Sequence, residues 1–68
     1  MDIKVLFSRG DGCYVVQKGD DFYLVNLETN AKPQVCRYAD SFLKFGYFSP
    51  IDELDVKTLH NIKERLSD

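Results

Sequence analysis

Residues 13–27 read Cys13-Tyr14-Val15-Val16-Gln17-Lys18-Gly19-Asp20-Asp21-Phe22-Tyr23-Leu24-Val25-Asn26-Leu27. Two runs rich in β-branched and aromatic residues flank a Gly-Asp pair. Such residues fit a pleated, half-buried surface. Glycine at the first central position of a two-residue loop suits a type II′ hairpin turn. The stretch therefore predicts antiparallel strands over 13–18 and 22–27. The turn dictates their register: Gln17 faces Phe22, Val16 faces Tyr23 and Val15 faces Leu24.

Toward the N-terminus, Ile3, Val5 and Phe7 alternate with Lys4 and Leu6, which predicts a strand over 2–7. Ser8-Arg9-Gly10-Asp11-Gly12 breaks it, with two glycines free to take positive φ. With Gly19-Asp20 as the turn, one sheet face collects Ile3, Val5, Phe7, Cys13, Val15, Phe22 and Leu24, and a one-residue slip there would exchange the faces in one strand. The other collects Lys4, Leu6, Tyr14, Val16, Lys18, Tyr23 and Val25. The first is the better core, and the second carries two tyrosines and two lysines outward.

Toward the C-terminus, Glu28–Pro33 is a polar loop. Gln34–Tyr38 supplies a fourth strand if it joins the sheet. Over 40–48 two patterns compete. Asp40 can cap a short helix, about 40–45, that Gly46 ends, yet Leu43, Phe45 and Tyr47 also alternate; the helical reading is preferred. Ser49-Pro50 is a helix start, with Asp52 and Glu53 favouring the positive end of the dipole. A second start lies at Asp55, where Leu54 and Leu59 have the spacing of a hydrophobic staple. A helix over about 50–66 follows, with Val56, Leu59, Ile62 and Leu66 as its apolar stripe. The expected fold is α+β: a single domain, 1–68, with a small antiparallel sheet of three to four strands packed against a C-terminal helix.

The chain has 68 residues, nine basic and eleven acidic, for a net charge of −2. A domain of this length buries only about 60% of the surface its unfolded chain exposes, so its core is thin. No basic run marks a footprint for duplex DNA, RNA or an anionic membrane. The N-terminus lacks the long apolar stretch of a signal peptide, and no run is long enough to span a bilayer. Cys13 and Cys36 are the only cysteines, and such sparse use suits reduced thiols in a cytoplasmic protein, with a Cys13–Cys36 bridge as the alternative.

No motif carries chemistry. Gly10-Asp11-Gly12 has the first two glycines of a dinucleotide fingerprint, but the third is missing and a strand follows it, whereas phosphate binding requires a helix N-terminus there. Arg9-Gly10-Asp11 is the adhesion tripeptide, and a turn explains it better. His60 is the only histidine, and a zinc site needs three or four convergent ligands. The thiols sit in strand-like segments and not at helix N-termini, where reactive cysteines occur. The carboxylate pairs Asp20-Asp21 and Asp52-Glu53 fall in a turn and at a helix start. The expectation is a non-enzymatic chain without metal or cofactor.

Its aromatics are the remaining signal. There are five phenylalanines and four tyrosines, each with roughly 150–250 Å² to bury. A thin core cannot seal them all. Tyr38, Phe42, Phe45, Tyr47 and Phe48 crowd one stretch of the chain. The sequence thus predicts a protein-binding module, a regulator, inhibitor or accessory subunit, with homodimerisation as a related outcome. Small acidic chains of this kind occur among bacterial and phage regulators, which is analogy only. The expected surface comprises Tyr14, Tyr23, Lys4, Lys18, Phe45, Tyr47 and Phe48. The alternative is single-stranded nucleic-acid binding, with Tyr14 and Tyr23 stacking on bases beside Lys4, Lys18 and Arg9; the negative charge opposes it.

Overall fold

The computed structural model describes residues 3–51 and 53–67. The expected strand start at Asp2 and the Asp52 half of one acidic pair lie outside them. The chain runs β1 (Ile3–Ser8), β2 (Cys13–Lys18), β3 (Asp21–Asn26), β4 (Gln34–Val35), α1 (Ala39–Lys44) and α2 (Val56–Leu66). The strands form one open antiparallel sheet in the order β1-β2-β3-β4. This is the α+β architecture anticipated above.

The hairpin forms in the expected register, with Gln17 opposite Phe22, Val16 opposite Tyr23 and Val15 opposite Leu24. Gly19 has φ 62°, as the first position of a type II′ turn requires. The fourth strand is shorter than the 34–38 expectation. Its pairing ends with the Cys36 N–H donating to the Phe22 carbonyl at 2.8 Å, after which the chain turns into α1.

The face assignment needs correction. Val5 pairs with Val16 but Phe7 pairs with Val15, so β1 carries a bulge at Leu6. The extra residue shifts the alternation midway along the strand. Ile3 and Val5 therefore share a face with Val16 and Val25, while Leu6 and Phe7 join Val15 on the other.

Both faces are consequently core. On one, Val5, Val16 and Val25 pack against Ile62 and Leu66 of α2. On the other, Leu6 and Val15 pack against Cys36, Ala39 and Phe48 from the segment that contains α1. The C-terminal helix thus covers the face expected to be outward, and the thin domain is three layers deep.

α2 begins at its second candidate start. Asp55 is the N-cap, its Oδ1 accepting from the Thr58 N–H at 2.7 Å. The helix is therefore shorter than 50–66. Ahead of it, the Ile51 N–H donates to the Val5 carbonyl of the edge strand β1 at 2.7 Å. Leu54 and Leu59 both pack on the core, as a staple would. Val56 leaves the expected stripe and is 84% exposed. At 3.6 residues per turn it lies about a quarter-turn from the line of Leu59, Ile62 and Leu66.

Candidate functional site

α1 and its return path build the largest exposed aromatic feature. Tyr38 takes the N-cap position without a side-chain cap bond, two residues earlier than the expected Asp40. Asp40 instead pairs with Lys44 at 3.2 Å across one turn, on the solvent side. After Lys44 the helix closes in a Schellman motif: the Gly46 N–H donates to the Leu43 carbonyl at 3.2 Å and the Tyr47 N–H to the Phe42 carbonyl at 2.9 Å. Gly46 has φ 83°, where a side chain is strained. This reversal brings Tyr47 and Phe48 back beside the helix.

The rings then form a chain. Tyr38 and Phe42, one helical turn apart, have centroids 5.0 Å apart. Phe42 meets Tyr47 edge-on at 5.6 Å and Phe48 edge-on at 5.3 Å. Phe48 stacks on Phe7 of β1 at 5.1 Å, and Phe45 extends the series to Tyr47 at 6.4 Å. Phe48 is only 7% exposed and anchors the series in the core, whereas Phe42 is 38%, Tyr47 72% and Phe45 76% exposed. Between the rings lies a shallow groove of about 380 Å³ lined by Phe7, Tyr38, Phe42 and Phe48, with Arg9 as its cation. The hydrogen bond between the Tyr38 phenol and the Cys36 side chain raises the phenol's pKa above its ordinary value; burial adds to this and the Arg9 charge opposes it.

Of the expected surface residues, Phe45 and Tyr47 lie exposed on this ridge, and Phe48 is corrected to a core residue. Tyr14 and Tyr23 are also corrected: both are half-buried and pack against the cluster beneath α2, so they do not form an open platform. Lys18 is half-buried and donates to the Leu66 carbonyl at 2.7 Å. Lys4 is exposed at the edge strand, away from the ridge. Phe7 and Arg9 were not anticipated as surface partners of this segment. The Tyr38–Phe42 spacing could have suggested their pairing once a helix was accepted, but nothing local indicated the bulge that turns Phe7 toward Phe48.

Cys13 and Cys36 are free thiols, the first half-buried and the second buried. His60 is exposed, its Nε2 2.9 Å from Glu64 Oε1. Among the described residues no group of three His, Cys, Asp or Glu side chains converges as a metal site would require, and no helix is long and apolar enough to cross a membrane. The fold defines a small α+β domain with one aromatic ridge. Set against known proteins, the chain matches no family model, and no curated protein or solved structure shows significant similarity to it.

Proposed function

We propose that this chain is a non-enzymatic docking module, a regulator, inhibitor or accessory subunit, that binds a protein partner through the ridge of Phe7, Tyr38, Phe42, Phe45 and Tyr47. The observation that carries the reading is that Tyr38, Phe42, Tyr47 and Phe45 pack in series as exposed rings, with the exposed Phe7 joined to them through the buried Phe48. Aromatic side chains supply large contact area at low entropy cost and dominate binding hot spots. The helical turn and the Schellman motif already hold the backbone beneath them, which reduces the ordering cost of association. Arg9 beside the groove favours a partner that presents an apolar anchor next to a carboxylate.

The test compares proteins captured by the wild type, by Phe45→Ala/Tyr47→Ala, and by Val56→Ala, which removes a remote exposed apolar side chain. Partners held by the wild type and the Val56 variant, and lost with the folded double variant, support the reading; retention by that variant overturns it. Sedimentation at rising concentration separates self-association, which the double variant would abolish, from binding to a different protein. Steep weakening with salt would redirect the surface to single-stranded nucleic acid.

A further inference from the structure

A second surface feature lies on the other side of the molecule. The end of β2, the centre of β3, the loop before β4 and the last turn of α2 enclose a pocket of about 320 Å³. Lys18, Lys32 and Arg65 line it together with Tyr23, Pro33 and Leu66. Three of the nine basic residues of a net-acidic chain thus line one cavity, and among the described residues no carboxylate lines it.

Two of these cations are tied in place. Lys18 Nζ donates to the Leu66 carbonyl at 2.7 Å, at the negative end of α2. Arg65 donates to the carbonyls of Asn26 at 3.2 Å and Ala31 at 3.5 Å. Each bond uses part of the donor set: an ammonium has three N–H groups and a guanidinium five. Among the described residues neither is paired with a carboxylate, and their ordering cost has been met by folding. Like charges gathered in one cavity repel, and an anion between them relieves that repulsion. Tyr23 and Pro33 add an apolar wall. The volume lies at the lower end of the range for small-molecule sites.

We propose that this pocket binds a small organic phosphate monoester, its phosphate held among Lys18, Lys32 and Arg65 and a planar or apolar group resting on Tyr23 and Pro33. The site is separate from the aromatic ridge and does not depend on the docking role. Asp21 is opposite Lys18 in the hairpin register.

Phenyl phosphate is the test ligand, titrated into the full chain at constant ionic strength and followed by amide chemical shifts. Saturable movement at Lys18, Tyr23, Lys32 and Arg65 is expected. Lys32→Gln, an exposed change, weakens binding about tenfold, the scale of one charge-assisted hydrogen bond. Lys63→Gln, also exposed on α2 but outside the pocket, leaves binding unchanged. Absence of saturation overturns the assignment, as does an equal loss in the Lys63 variant, which would indicate diffuse charge attraction. Inorganic phosphate binding as tightly as phenyl phosphate overturns the organic part of the ligand.

Discussion

Gly46 decides where the ridge turns back. A Cβ added there meets nothing within 4 Å, so the cost of a side chain is conformational alone. Gly46→Ala is expected to lower stability by about 1–2 kcal/mol, the cost of an alanine in the left-handed region, measured by denaturant titration. It should also displace Tyr47 from Phe42, visible as a change in the aromatic shifts. Phe45 and Tyr47 themselves contribute little to folding because they are exposed. Phe45→Ala and Tyr47→Ala should stay within about 0.5 kcal/mol of the wild type. A larger loss in either would place these rings in the core and remove the ground for a docking surface. Asp55 provides a pH test. Its hydrogen bonds with the Thr58 side chain and backbone N–H hold its pKa below the ordinary carboxylate value. A carboxylate with a depressed folded-state pKa contributes stability that is complete above the unfolded value and is lost as pH falls through the folded one. Asp55→Ala should therefore lower Tm at neutral pH, and its difference from the wild type should shrink as the solution is acidified below the ordinary Asp range.

At the scale of elements, α2 is held by one narrow stripe. Its first residue, Val56, contributes no burial, and Leu54, outside the helix, packs on the same cluster. Ile62, sealed against Val5, Val16 and Val25, is the residue whose loss should release the helix. Ile62→Ala is expected to cost about 2–5 kcal/mol. Tyr14 and Tyr23 belong to the same layer. Replacing both with alanine should destabilise the domain by roughly 1–2 kcal/mol per ring, since each is half-buried and a fully buried apolar side chain contributes about 1.5–3 kcal/mol. Unchanged thermal stability in that double variant would show that α2 does not rest on them. The pairing of an outward sheet face with a solvent-facing role fails here because the helix needed a partner, and the Val16/Val25 face was the one it met.

For the whole molecule, two small clusters share a single four-stranded sheet, and neighbouring β2 residues serve opposite clusters, Val15 on one side and Val16 on the other. Loss of either layer should therefore propagate through the strands to the other. Phe48→Ala, on the face away from α2, is expected to cost about 3–5 kcal/mol, a large share of the stability available to so small a domain. Signals from α2 and from the aromatic ridge should disappear together in one transition. Separate midpoints for the two probes would mean that the layers fold independently. The same layering sets the cationic pocket and the aromatic ridge on different walls of the domain.

The residues alone determined the hairpin, because Gly19-Asp20 allows a tight turn and the flanking runs pair only in the register that turn imposes. They also determined the existence of a capped C-terminal helix, since Asp55 and the Leu59, Ile62 and Leu66 spacing are local features. The crowding of rings over 38–48 was legible in the same way. Tertiary structure alone decided which rings are sealed and which cations meet. The Leu6 bulge exchanges the faces of β1 midway, and α2 selects a sheet face by how well two surfaces pack, a property no short window contains. Lys18, Lys32 and Arg65 lie far apart along a chain of mixed charge, and only the packing of α2 against the sheet and the β3–β4 loop draws them to one cavity.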